Sequence, residues 1–181
     1  MLMKKKGDMA LNQITTIFFD VDGVFTDGSL YFSDNGVNMT KFNVHDGMGC
    51  ILLKEAGIEL LILTTRYSDA VIKRFKDLGI DKIFTKVLKK RNFIKEYSKA
   101  HNLEKKELAM MGDDLQDLAA IDEVGVFFTT PNAIDIVKDS ADFITKRSGG
   151  DGAVREICDL IIRSKGSSPS LEFDRYIEKG K

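Results

Sequence analysis

The sequence predicts an α/β protein, a doubly wound parallel sheet with a small β-hairpin inserted after the first strand. Three observations carry this. The stretch Ile14 to Phe19, broken only by Thr15 and Thr16, is an apolar run that ends in two carboxylates, Asp20 and Asp22. Such a run reads as a strand buried on both faces. Further short apolar runs then alternate with segments whose apolar residues recur at helical spacing, the pattern of a parallel sheet with crossover helices. Finally, acidic, hydroxyl and basic residues cluster just past the ends of the apolar runs, where ligands bind in an open parallel sheet.

The elements follow in order. Asp20 and Asp22 are separated by one residue, so they can share a side, and Gly23 lets the chain turn away. Asp27-Gly28 is a turn. Ser29 to Phe32 and Val37 to Val44 flank Ser33-Asp34-Asn35-Gly36, and Asn-Gly between β-prone runs signals a hairpin, spanning about residues 28–44. Its apolar face (Leu30, Phe32, Val37, Met39, Phe42, Val44) is more than an isolated ribbon should expose. Subunit contact is the expected use of that face; folding back onto its own core is the alternative.

A helix is expected from Asp46-Gly47 to a stop at Gly57, and a strand from Ile58 to Leu63 that ends at Thr64-Thr65-Arg66. Ser68 caps a helix with Val71, Ile72, Phe75 and Leu78 on one face. Ile80 to Phe84 is a third strand and Lys89 to His101 a helix. Glu107 to Met111 is a fourth strand, ending at Gly112-Asp113-Asp114, and Leu115 to Asp122 a short helix. Val124 to Phe128 is a fifth strand, followed by Thr129-Thr130-Pro131-Asn132. Helix Ala133 to Lys138, strand Ala141 to Ile144 and helix Gly152 to Ser164 complete the fold.

At 181 residues the chain is long enough for one domain with a full core, placed at residues 14–165. Residues 1–13 read as a flexible tail: Lys4, Lys5 and Lys6 are followed by no apolar stretch of signal-peptide type. Residues 166–181 read as a second flexible tail, opened by the linker-like Gly166-Ser167-Ser168-Pro169-Ser170. The composition is 43% hydrophobic and 30% charged with a net charge of −1, which gives no broad pull toward nucleic acid or membrane. No run is long enough to span a bilayer. Cys50 and Cys158 lack metal-site spacing and read as reduced structural residues of a cytoplasmic protein.

The strand ends define the chemistry. Asp20 and Asp22 close the first strand and Thr64 the second. Lys90 follows the third, and Asp113, Asp114 and Asp117 follow the fourth. Carboxylates gathered this closely cannot all stay ionised without a cation, and a hard divalent ion, Mg²⁺ first, suits oxygen ligands. A hydroxyl and an ammonium beside them suit a phosphoryl group. One aspartate is then free to act as nucleophile and the other as general acid and base.

Asp20-Val21-Asp22-Gly23-Val24, Thr64, Lys90 and Gly112-Asp113-Asp114-Leu115-Gln116-Asp117 resemble the four motifs of the haloacid dehalogenase superfamily of phosphohydrolases. Phe25 to Gly28, the hairpin, Phe42-Asn43-Val44-His45-Asp46-Gly47, Thr64-Thr65-Arg66 and Gly149-Gly150-Asp151-Gly152-Ala153-Val154-Arg155-Glu156 are similar to its capless subgroup, and most of all to the 3-deoxy-D-manno-octulosonate 8-phosphate phosphatase family. The resemblance implies a Mg²⁺-dependent homotetramer in which hairpins pack together. Its substrate would be a small phosphorylated sugar acid of lipopolysaccharide precursor synthesis. By the same resemblance Asp20 is the nucleophile and Asp22 the acid and base, with its backbone carbonyl on the metal. Thr64 and Lys90 hold the phosphoryl group, with Lys86 and Lys89 as alternatives to Lys90. Asp20 and Asp113 bind Mg²⁺, Asp114 or Asp117 supports the metal shell or Lys90, and Gly23, Thr65 and Arg66 meet the substrate, with Arg66 on its carboxylate. The family usually has glycine where this chain has Thr65, a residue that resists positive φ. Two alternatives stand beside this reading: a phosphatase for 2-keto-3-deoxynononate 9-phosphate, and a non-catalytic assembly module of the same fold.

Overall fold

The computed structural model describes residues 2–3, 11–32, 34 and 39–180. Its strands are β1 (Leu2–Met3), β2 (Thr16–Phe19), β3 (Glu59–Leu63), β4 (Ile83–Phe84), β5 (Leu108–Met111), β6 (Val126–Thr129) and β7 (Phe143–Ile144). Its helices are α1 (Val44–Glu55), α2 (Asp69–Asp77), α3 (Lys90–Ala100), α4 (Leu115–Leu118), α5 (Asp135–Ser140), α6 (Ala153–Ser164) and α7 (Pro169–Glu178).

The sheet order is β1-β7-β6-β5-β2-β3-β4. Strands β2 to β7 are parallel, and β1 is antiparallel to β7. From β2 the chain steps out to β3 and β4, then returns to β5 on the other side and steps outward again. That reversal places the topological switch point between β2 and β5, where a crevice opens at the carboxyl ends.

Both faces of β2 are covered, which explains its apolar run. Ile17 and Phe19 join a cluster with Cys50, Leu52 and Leu53 of α1 and Val154, Ile157 and Cys158 of α6. Phe18 points the other way, among Leu61, Ile94, Met110, Phe127 and Val137. Alternation of period two thus feeds two cores, one on each side of the sheet. Helices α1 and α6 approach closely at Gly49, where a Cβ would stand 3.0 Å from the Arg155 Cα. Cys50 and Cys158 are free and buried. Among the described residues no helix is long and apolar enough to cross a membrane.

The structure corrects the expectations for the start of α1 and for both termini. Helix α1 starts at Val44 rather than at Asp46-Gly47, because the Asn43 side chain accepts from the His45 N–H at 2.8 Å and caps it. The second hairpin arm therefore stops short of Val44. Within the described residues the hairpin shows one antiparallel bridge, Tyr31 with Met39; its Asn35-Gly36 turn lies outside them. At the N-terminus, where a tail was expected, Leu2–Met3 pair with β7 and Leu11 is buried.

The C-terminal segment, also expected to be a flexible tail, forms α7 and lies against α1. Ser168 caps it, accepting from the Leu171 N–H at 3.2 Å, and Pro169 occupies its first turn. Ser-Pro is a helix start as much as a linker. Lys179 pairs with Glu55, and the buried Glu172 holds Arg175 at 2.9 Å.

Candidate active site

Asp20 sits one residue past β2, its N–H donating to the Met111 carbonyl of β5 at 3.0 Å. Its carboxylate lies 2.7 Å from the Lys90 Nζ, which also meets the Asp117 Oδ1 at 2.6 Å. Lys90 is almost wholly buried at the start of α3. A cation is disfavoured at a helix N-terminus, so the two carboxylates must hold it there. Burial works against its charge, but Asp20 and Asp117 outweigh it and raise the Lys90 pKa. Lys86 instead lies over the Tyr67 ring, at 5.3 Å. Lys89 occupies the cap position of α3. The structure thus brings Lys90, and neither alternative, onto Asp20.

The turn after β5 is organised by Asp117. Its Oδ2 accepts from the N–H groups of Asp113 (3.0 Å) and Asp114 (3.3 Å), while Oδ1 takes Lys90. Asp114 and Asp117 form a capping box on α4. Gly112 is required here: a Cβ would lie 2.2 Å from that of Asp117.

Asp20, Asp113 and Asp117 bring carboxylate oxygens within 4.8 Å of one another. Burial, then Asp117, push the Asp20 pKa up to about 8 against the pull of Lys90. Burial, then Asp117 and Asp114, push Asp113 up to about 7. The cluster is short of positive charge, and its all-oxygen donor set fits a hard divalent cation. With both oxygens of Asp117 already engaged, Asp20 and Asp113 have the oxygens to spare.

Asp22 stands at the mouth, its Oδ1 3.0 Å from the Arg66 guanidinium. Thr64 is buried; its Oγ1 accepts from the Arg66 N–H at 3.2 Å, which leaves the hydroxyl proton to donate. Among the described residues only Lys86 and Asn102 carry a positive φ outside glycine, so Thr65 keeps an ordinary backbone and needs no glycine there. Asp20, Asp22, Thr65, Arg66, Asp113, Asp114 and Asp117 line one cleft of about 250 Å³, together with Gly28, Leu30 and Gln116. A larger hollow of about 590 Å³, lined by His45, Lys146, Arg155 and Arg163 among others, lies elsewhere. It holds no cluster of carboxylates with a buried lysine, so chemistry rather than volume locates the site.

Gly23 has an internal role. Its φ is +81°, and a Cβ would fall 1.9 Å from the Asp113 Oδ2. Its N–H lies 3.3 Å from the Thr26 Oγ1, and its carbonyl accepts from Asn132 (3.0 Å) and Thr130 (3.3 Å). Both backbone groups are thus spent inside the protein. The Gly149-Gly150 pair, a candidate for flexible backbone beside substrate, packs tightly on this loop; the Gly150 N–H bonds the Val24 carbonyl at 3.1 Å. Asp46, buried with its pKa raised by burial, accepts from the Arg155 N–H (2.8 Å) and Gly152 N–H (3.3 Å) at the start of α6. Thr26, Asp46, Thr130 and Asn132 were not predicted as site residues. The polar cluster Thr129-Thr130-Pro131-Asn132 at a strand end was the available signal for two of them.

A family model for haloacid dehalogenase-like hydrolases matches residues 81–157. The 3-deoxy-D-manno-octulosonate 8-phosphate phosphatase of Haemophilus influenzae is 35% identical over 158 residues, 87% of this chain and 88% of that protein. The chain belongs to the haloacid dehalogenase superfamily. Among solved structures, a superfamily hydrolase of subfamily III A from Legionella pneumophila is 37% identical with a TM-score of 0.90, covering 94% of this chain and 93% of its own. The 3-deoxy-D-manno-octulosonate 8-phosphate phosphatase of Moraxella catarrhalis, solved with magnesium, phosphate and the free sugar acid, is 34% identical with a TM-score of 0.85 over 96% of this chain and 97% of its own. The Haemophilus influenzae enzyme, solved with cobalt, is 35% identical with a TM-score of 0.82, over 87% of this chain and 92% of its own. The fold is the capless form of the superfamily, and the protein is a phosphoric monoester hydrolase.

Proposed function

We propose that this chain hydrolyses 3-deoxy-D-manno-octulosonate 8-phosphate with Mg²⁺, through a phosphoryl group carried on Asp20. The observation that carries the reading is the buried Asp20–Lys90–Asp117 array beside Asp113 at the switch point of the sheet. A carboxylate so placed is a nucleophile with its phosphate-binding cation already in position. Asp20, Asp113 and the Asp22 backbone carbonyl would hold Mg²⁺, which when bound neutralises charge on the phosphoryl oxygens and the carboxylates.

An Asp20 oxygen attacks phosphorus while the bond to the sugar oxygen breaks, and Asp22 gives that oxygen a proton. Asp22, now ionised, takes a proton from a water that attacks the phosphorus. The aspartyl bond breaks, and Asp20 and inorganic phosphate separate. The Thr64 hydroxyl and the Lys90 ammonium donate to the phosphoryl oxygens throughout. Arg66, at the mouth on Asp22, has the fork geometry to take a sugar carboxylate.

The choice of sugar acid is supported by likeness to the Moraxella catarrhalis enzyme along 96% of this chain, and by Arg66. A homotetramer is supported by the apolar surface at the base of the hairpin: Leu30, Tyr31, Phe32, Met39 and Val44 are all exposed, and Leu30 also lines the cleft. A capless cleft would be closed by neighbours there. Two free, buried thiols fit a reducing cytoplasm.

The test is phosphate release from a panel of sugar-acid and ordinary sugar phosphates, with Mg²⁺ and with chelator, for wild type and Asp20→Asn. Metal-dependent release concentrated on the octulosonate phosphate and lost in the variant supports the reading. Release spread over many esters removes the specificity, and none at all removes the activity.

A further inference from the structure

The segment from Thr129 to Ile134 supplies no group to the chemistry above, yet it holds both acidic loops. The Thr129 Oγ1 donates to the Gly112 carbonyl at 2.7 Å, and the Ile134 N–H to the Asp113 carbonyl at 3.2 Å. Across the crevice, the Thr130 Oγ1 (3.3 Å) and the Asn132 Nδ2 (3.0 Å) donate to the Gly23 carbonyl. The Asn132 Oδ1 accepts from the Gly149 N–H at 2.7 Å. One side-chain amide therefore ties the loop after β2 to the loop after β7, from a segment that also grips the loop after β5.

The consequence lies in Gly23. It follows Asp22 directly, and its Cα faces the Asp113 carboxylate closely enough that a Cβ would overlap it. Where the Gly23 peptide sits fixes how near Asp113 can come to Asp20 and Asp22. We propose that Asn132 is a positioning residue: by clamping the Gly23 carbonyl and the Gly149 N–H, it sets the distance between the nucleophile loop and Asp113, and with it divalent-cation affinity and turnover. The proposal rests on the phosphatase reading for turnover but not for cation binding.

The clamp needs an amide. Aspartate at 132 keeps the acceptor for Gly149 but turns an oxygen, not an N–H, toward the Gly23 carbonyl. Alanine loses both bonds. Asn132 itself is exposed, so its loss removes little buried surface. Positioning and folding can therefore be separated.

The experiment compares wild type, Asn132→Ala and Asn132→Asp by calorimetric titration with Mg²⁺, by thermal melting, and by kcat and KM for phosphate release. We expect both variants to melt near the wild type while Mg²⁺ affinity and kcat each fall by about 10- to 100-fold, as when a group supporting a metal ligand is lost. The extra charge of Asn132→Asp would by itself tighten Mg²⁺, so weaker binding in that variant reports geometry. Should Asn132→Ala fail to fold, the isosteric Asn132→Asp decides. Mg²⁺ affinity within about threefold of wild type in a folded variant overturns the inference. A wild type that binds Mg²⁺ but hydrolyses no phosphate ester sinks the proposed function, and the Mg²⁺ titrations still decide this one.

Discussion

Replacing Lys90 by methionine keeps much of its bulk and removes the cation that Asp20 and Asp117 share. The lysine side chain is 1% exposed and touches carboxylate oxygens at 2.7 and 2.6 Å. Breaking a buried ion pair from one side costs about 3–5 kcal/mol, because the remaining charge is left unpaired. That figure should apply above pH 8, where Asp20 in the wild type is ionised against Lys90. Asp20 has its pKa raised, by burial first, to about 8, and losing Lys90 raises it further. A folded pKa above the unfolded value means stability that is present at low pH and lost as pH rises. At pH 5 a protonated Asp20 leaves one charge fewer to strand, and the loss should drop to about half. The gap between wild type and Lys90→Met therefore stays flat from pH 5 to about pH 7 and widens from there to about pH 9. Denaturant unfolding followed by far-ultraviolet circular dichroism without Mg²⁺ measures it, since the chain has no tryptophan to report. A gap that is constant across that whole range, or that narrows as pH rises, would refute the reasoning.

Three further outcomes are expected. Gly23→Ala forces a Cβ to 1.9 Å from the Asp113 Oδ2 at a φ of +81°, so it should cost about 1–2 kcal/mol of stability and at least about tenfold in Mg²⁺ affinity; unchanged Mg²⁺ binding by calorimetry would contradict this. Asp20 and Asp113, with pKa values raised by burial to about 8 and about 7, should release protons when Mg²⁺ binds, so affinity rises by up to about tenfold per proton per pH unit from pH 6 to 7. Titration heats that do not depend on the ionisation enthalpy of the buffer would count against it. Phe32→Glu, at a side chain 67% exposed, should leave the fold intact while dissociating the proposed homotetramer and loosening substrate selectivity; sedimentation with the substrate panel tests this, and a selective, fully active monomer would end the idea.

Much of this site is legible in the sequence because its groups sit directly at strand ends. The run before Asp20 is apolar on both faces because Phe18 and Phe19 feed opposite cores. That same burial announces where the chain must become polar. Lys90 was not fixed by sequence: three lysines lie within five residues, and only the phase of α3 selects the one that turns inward. The supporting residues were hidden for a related reason. Asn132 and Asp46 act on backbone groups, the Gly23 carbonyl and the Arg155 N–H, about a hundred positions away in the chain, and no local pattern encodes such pairings. At the C-terminus the Gly-Ser-Ser-Pro composition read as linker, but the cap at Ser168 and the docking of α7 on α1 prevailed. Tertiary contact, not propensity, decides marginal helices.

The most direct test of the account is to catch the phosphoryl group on the chain. Enzyme mixed with Mg²⁺ and the octulosonate phosphate, quenched in acid within one turnover and digested, should yield the peptide containing Asp20 with one added phosphoryl group, absent from Asp20→Asn. Rapid turnover with no phosphorylated peptide at any quench time, or with the label on another residue, would contradict it.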